Sequence, residues 1–222
     1  MPVTVIIPTL NEEEWIGGTV QSAFAAGAAE VIVCDGGSID RTARYATAAG
    51  ARLLLTEPMR ARQLNLGANA ASHETLIFLH ADTRLPVNAV QAVENELDAG
   101  AGFGGFRIAF AEEVMKLRFA AALINLRTRF TKCPWGDQAQ FIRRDAFLSA
   151  GGFREIPLME DYELAQRMKH SGRSVLLPIA VTTSGRRFLR KGVLRTAAHN
   201  WRTVLRYRAG HDVDALARSY RR

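Results

Sequence analysis

Within the first hundred residues, short apolar runs alternate with helical patterns, and this alternation restricts the chain to a small set of folds. "VTVIIP" (3–8) is rich in β-branched residues and closes on a proline, as a strand does. "VIVCD" (31–35), "RLLL" (52–55) and "TLIFL" (75–79) follow as apolar runs of strand length. Between them, Ile16, Val20 and Phe24 keep a helical spacing, and further helices are predicted from about Ser38, over 60–71 and over 87–98. Asn11 is expected to cap the first helix, with Glu14 as its capping-box partner and Gly27 as its stop. The alternation predicts an α/β chain whose mostly parallel sheet has helices on both faces.

After Gly104 the rhythm changes. "FRIAF" (106–110), "AQFIRR" (139–144) and "SVLLP" (174–178) read as strands, and 112–130, 161–171 and 190–208 as helices. "GAGFGG" (100–105) satisfies the dinucleotide fingerprint G-x-G-x-x-G. That fingerprint needs a strand before it and a helix after it, and here the order is reversed. The segment is set aside as a flexible hinge.

Length and charge narrow the classes further. With 222 residues the chain suits one sizeable domain. No apolar run has the length of a membrane span, and "MPVTVIIPTL" lacks the basic start of a signal peptide. Cys34 and Cys133 form no metal or disulfide pattern, so a reducing cytoplasm is expected. The net charge of +7 is concentrated at the end: residues 186–222 carry +9 and residues 1–185 carry −2. Such a tail can meet phosphates, anionic lipid or nucleic acid. No helix-turn-helix, zinc or RNA-binding signature supports nucleic acid. In 190–208, Val193, Leu194, Ala197, Trp201, Val204 and Leu205 recur at helical spacing among Arg195, Arg202, Arg206 and Arg208. This stripe reads first as a face that packs on the rest of the domain. A salt-sensitive, peripheral contact with the inner membrane surface comes second.

Open parallel sheets bind ligands beyond the carboxyl ends of their strands. Three early strands end there in polar stretches, "PTLNEEE", "CDGGSID" and "HADT", so Asp35 and Asp82 are placed to converge on one ligand. Taken singly, each could also satisfy a turn or cap a helix.

Together, "IPTLNEEEWI", "VIVCDGGSIDRT", "FLHADT" and "LMEDYELAQRM" resemble the family-2 glycosyltransferases, inverting enzymes of the GT-A fold. The resemblance runs from Val3 to about Arg190. "HADT", "RARQLNLGA" and "WGDQ" resemble a short bacterial subgroup associated with radical-SAM, selenium or arsenosugar gene neighbourhoods. It implies a single domain over 1–222, with a nucleotide-sugar half (1–100), an acceptor and catalytic half (101–190) and basic C-terminal helices (191–222). By the same resemblance, Pro8, Thr9 and Glu12 hold the donor's ribose and base, and Asp35 accepts from uracil N3–H of a UDP-sugar. Asp82 matches the last acid of the family's DxD motif, which ligates Mg²⁺ or Mn²⁺ on the diphosphate, with Ala81 beside it. His80 stands where many members have an acid, and it is either a second ligand or a residue packed under the loop. Asp161 matches the catalytic base and Glu160 its neighbour; at a helix start, such acids also simply stabilise the helix.

Other candidates keep two readings. Arg60 and Gln63, with Arg62, suit phosphate or sugar hydroxyls, or form a solvated helix start. Trp135 stacks on an acceptor sugar or fills core, with Asp137 and Gln138 beside it as acceptor contacts. Arg186 and Arg187 match the family's late diphosphate loop. A sugar-nucleotide pyrophosphorylase would need a glycine-rich loop after the first strand, and "PTLNEEE" has no glycine. A degenerate sugar-nucleotide-binding protein is the other reading; retention of both Asp82 and Asp161 speaks against it.

Overall fold

The apolar runs become strands Val3–Thr9 (β1), Glu30–Asp35 (β2), Arg52–Leu55 (β3) and Thr75–Phe78 (β4), parallel neighbours in the order β3-β2-β1-β4. These come from a computed structural model that describes residues 2–221. The sheet grows from β1 toward β2 and β3 on one side, then reverses to place β4 on the other. The crevice beyond β1 and β4 is therefore the switch point at which such sheets bind ligands.

Helices Ile16–Ala25 (α1), Thr42–Ala48 (α2) and Arg60–Ala70 (α3) connect these strands. The pleat sends successive side chains to opposite faces. Val3, Val5 and Ile7 thus meet Ile16 and Val20 of α1, while Ile6 meets Ala61, Leu64 and Ala68 of α3. Burial on both faces is why β1, β2 and β4 read as unbroken apolar runs, while β3 lies at the edge and stays half-exposed.

The second half completes an eight-stranded sheet, β3-β2-β1-β4-β7-β6-β8-β5. Its elements are Thr83–Arg84 (β5), Ala89–Asp98 (α4), Ala101–Phe110 (β6), Met115–Thr131 (α5), Gln140–Arg143 (β7), Arg144–Ser149 (α6), Glu160–Met168 (α7), Arg173–Thr183 (β8), Arg186–Lys191 (α8), Val193–Arg208 (α9) and Val213–Arg221 (α10). β7 runs antiparallel to both β4 and β6, so the sheet is mixed.

Three sequence expectations are corrected. Asn11 does not cap α1, which starts at Ile16 without a side-chain cap. It adopts φ 55° and its side-chain oxygen accepts from Ile39 N–H, tying the loop after β1 to the loop after β2. The helix expected from about Ser38 starts at Thr42, because Ser38 is occupied with Asp35. The region 190–208 is two helices, parted at Gly192, whose φ of 84° suits a residue without Cβ.

The segment 100–105 is no hinge. Ala101 to Gly105 belong to β6, and Gly104 pairs with Phe141 of β7. A Cβ at Gly104 would lie 2.3 Å from the fully buried Phe141 ring. Gly104→Ala is therefore expected to cost about 1–3 kcal/mol in denaturant unfolding, as overpacking does. Wild-type stability in that variant would mean that the strand is slack there.

Candidate active site

The ends of β1 and β2 are locked together by polar contacts. Asp35, buried, accepts from Thr9 Oγ1 at 3.1 Å and from Ser38 N–H at 3.0 Å, and the Ser38 hydroxyl donates to Oδ1. Gln63 from α3 donates to the carbonyls of Thr9 and Cys34, each at 2.8 Å. Its amide nitrogen is thus spent on holding the strand tips, and it supports the loop from beneath. The two readings of the arginines on α3 divide. Arg62 pairs with Glu57 and Glu155 at the surface, whereas Arg60 turns inward to Glu160 at 3.4 Å.

Beyond β4 the chain presents His80, Ala81 and Asp82. Ala81 is buried and its carbonyl accepts from Thr19 Oγ1 at 2.6 Å, which anchors the turn. The Asp82 carboxylate lies 3.2 Å from Arg186, which also grips both oxygens of Glu12 at 2.7 and 2.9 Å. Arg186 thus ties the loop after β1 to the tip of β4. Burial, with Arg60 nearby, pushes the His80 imidazole down to about 3, so it is neutral at physiological pH. A Cβ built at Gly136 would sit 2.8 Å from His80 Nε2 and 2.9 Å from Asp161 Oδ2. Both groups therefore converge on the backbone of Gly136, a position that admits no side chain without displacing one of them.

Asp161 stands in the first turn of α7, where the helix dipole favours a carboxylate. Its Oδ2 accepts from Gly136 N–H and its Oδ1 from Tyr162 N–H, both at 2.7 Å. Gln140 of β7 donates to the Asp161 carbonyl at 2.9 Å, fixing the helix start to the sheet. Glu160 is buried, and burial pushes its carboxyl up while Arg60 pulls it down. Pro8, Arg60, His80, Gly136 and Asp161 line one crevice.

The 134–140 loop is built from the inside. Gln138 is fully buried, and its side-chain oxygen accepts from Thr128 Oγ1 at 2.7 Å and Arg127 Nη2 at 3.0 Å. The acceptor contact expected of Gln138 is therefore replaced by a role in holding the loop. Trp135 is half-buried, with the Arg127 guanidinium 3.6 Å from its ring centroid, so one indole face is taken. Arg187 is occupied with α10. It donates to the Tyr220 hydroxyl at 2.5 Å and lies over that ring.

Asp137 differs from its neighbours. Its Oδ1 is buried with no hydrogen-bond partner among the described residues. Burial pushes its carboxyl up to about 6 from an ordinary 3.8, against the pull of Arg127. The folded chain thus holds this proton more tightly than the unfolded chain, and stability falls as pH rises from about 4 to about 6. Asp137→Asn should flatten that part of the profile and stabilise the chain above pH 6 by up to about 3 kcal/mol. Urea unfolding across this pH range checks it; an unchanged profile would mean that Asp137 titrates normally.

No three His, Cys, Asp or Glu side chains among the described residues cluster as a cation site. Mg²⁺ and Mn²⁺ sites built with substrate phosphates need only one or two carboxylates from the protein. Asp82 fits that demand, since it stands two residues beyond His80 of the crevice lining and its partner Arg186 is exposed. Sequence reasoning missed Gly136, Gln140 and Tyr220. Gly136 lay in the quoted "WGDQ" run, but nothing local marked its N–H as the support of Asp161.

Comparison with known proteins agrees with this architecture. The family Glycosyl transferase family 2 matches residues 4–149, more than half of the chain. The chain is similar to S. aureus TarS 1-349, with 17% identity and a TM-score of 0.65 over 83% of this chain and 61% of that one. It is also similar to glucosyl-3-phosphoglycerate synthase from Mycobacterium tuberculosis, in complex with Mn²⁺, UDP and glucosyl-3-phosphoglycerate. There the identity is 21% and the TM-score 0.59, over 82% of this chain and 70% of that one. The same synthase in complex with Mg²⁺ and UDP aligns at 20% identity with the same TM-score and coverage. These identities show a shared fold, and the chain spans less than two thirds of the TarS fragment. No curated protein matches the chain.

Proposed function

The chain belongs to glycosyl transferase family 2, and we propose that it moves a sugar from a UDP-sugar to an acceptor nucleophile with inversion at the anomeric carbon. One observation carries this reading. Pro8, Arg60, His80 and Asp161, from four separate segments, line one crevice at the switch point of a GT-A sheet.

The residues divide the work by position. Thr9 orients Asp35, and uracil N3–H would take the place of the half-buried Ser38 hydroxyl at that carboxylate. Pro8 lines the crevice and would face the ribose, and Glu12 holds Arg186 beside Asp82. Arg60 and Arg186 supply positive charge for the diphosphate. Asp82 would hold Mg²⁺ or Mn²⁺, which offsets negative charge on the departing diphosphate. Support for the cation comes from this donor set. The M. tuberculosis synthase was crystallised with UDP and either metal. Neutral His80 would meet the donor as a hydrogen-bonding group rather than as a charge.

Asp161 is the group that takes the acceptor's proton. Its two backbone donors fix the carboxylate plane and leave lone pairs for the incoming hydroxyl. Half-buried Trp135, beside Gly136 of the crevice lining, would bound the acceptor side, and Asp137 follows it in the same loop. Both cysteines are free and buried, with thiols pushed up to about 12 and about 11, which suits the cytoplasm.

The test is UDP release from a panel of UDP-sugars with Mn²⁺, water standing in for the acceptor. Release at least tenfold above that of Asp161→Asn, with an inverted product by NMR, is the expected result. Tight binding of the panel with no release by wild type would instead describe a binding protein without activity.

A further inference from the structure

Two neighbouring helices carry apolar rows that the fold leaves uncovered. α5 buries Leu117, Ala120, Ala121 and Thr128. On its opposite side Met115, Phe119, Leu123, Leu126 and Phe130 recur at three- and four-residue spacing, all exposed, Phe130 by 78%. α9, which contacts α5, repeats the arrangement. Thr196, Thr203 and Val204 face inward, while Leu194, Trp201 and Leu205 form an exposed row. The packing expected for the whole stripe of 190–208 is therefore only half realised. Single exposed apolar residues are ordinary, but such rows on two helices in contact mark a docking surface.

Charge identifies what docks. Residues 114–136 expose Lys116, Arg118, Arg129 and Lys132, while Arg127 turns inward to Gln138, and they contain no Asp or Glu. Residues 190–208 contain six Lys and Arg and again no acid. A second copy of the chain would bring these cationic rims against one another. The complementary surface is extended, anionic and apolar beneath.

We propose that α5 and α9 form a docking face for an anionic lipid bilayer. Phe119, Phe130, Trp201 and Leu205 enter the headgroup region, and the arginines beside them meet lipid phosphates. A cavity between α9 and α10, lined by His199, Arg202, Thr203 and Arg206, opens next to the α9 row and has the chemistry to seat a headgroup phosphate. Neither Arg202 nor Arg206 forms an ion pair with a described residue. Among the described residues no helix is long and apolar enough to cross a membrane, so the contact is peripheral.

Flotation of the full chain with vesicles tests this without any nucleotide, so its outcome is independent of the donor reading. The chain should float with phosphatidylcholine–phosphatidylglycerol vesicles. It should do so at least tenfold less with phosphatidylcholine alone or at high salt. Phe119→Ser with Phe130→Ser, and separately Arg202→Glu with Arg206→Glu, should each reduce flotation at least tenfold. All these positions are exposed, so melting temperatures should stay at the wild-type value. Failure of the wild type to float with anionic vesicles would overturn the proposal, as would flotation that neither pair of substitutions changes. A dimer by light scattering that Phe119→Ser with Phe130→Ser dissociates would assign the face to a second copy and equally overturn it.

Discussion

Asp161→Asn should lower turnover by about 10²-fold to 10⁴-fold while donor affinity stays within about threefold of wild type. The side chain keeps its size, so the crevice keeps its shape. What is lost is the ability to accept a proton. Glu160 cannot step in, because it is buried and held by Arg60 at 3.4 Å. The amide has one acceptor oxygen for two backbone donors, Gly136 N–H and Tyr162 N–H, so a modest loss of stability accompanies the change. Single-turnover kinetics with a bound UDP-sugar separate the two effects, since donor affinity and the chemical step are read independently. Turnover within a few-fold of wild type would remove Asp161 from the role of base.

Asp35→Asn should weaken UDP about ten- to hundredfold, the usual worth of a hydrogen bond to a charged acceptor. Thr9 Oγ1, Ser38 N–H and the Ser38 hydroxyl all point at this carboxylate. An amide can keep some of these bonds but turns a donor toward a uracil N3–H. Purine nucleotides, bound weakly already, should change little. Equal losses for UDP and for a purine diphosphate would mean that Asp35 supports the loop rather than reading the base.

The strands nearest the crevice were the most legible part of the sequence. β1, β2 and β4 are buried on both faces, so each is an unbroken apolar run that ends where the chain meets the ligand. Thr9 and Asp35 follow from that geometry as the polar ends of their runs, and Asp82 stands two residues beyond His80, the first polar group after β4. β6 was misread because its glycines are there for Phe141 and Pro134, which crowd Gly104 and Gly105 from elsewhere in the chain. Gln63 and Gln138 looked like site residues because they neighbour site residues in sequence. Their partners, the Cys34 and Phe106 carbonyls, are distant in sequence and become close only in the fold. Tyr220 carried no local signal, yet it reaches Arg187 from the far end of the chain. Asn11 misled for a related reason, since its N-cap chemistry is spent on the second loop instead of on α1.

Calorimetric titration of the wild-type chain with UDP and with GDP, each with and without Mn²⁺, tests the central claim most directly. The account predicts that UDP binds more tightly than GDP, that Mn²⁺ strengthens UDP binding, and that Asp82→Ala abolishes the Mn²⁺ effect. Binding of GDP as tight as that of UDP, or no nucleotide binding at all, would contradict the assignment of this crevice to a UDP-sugar.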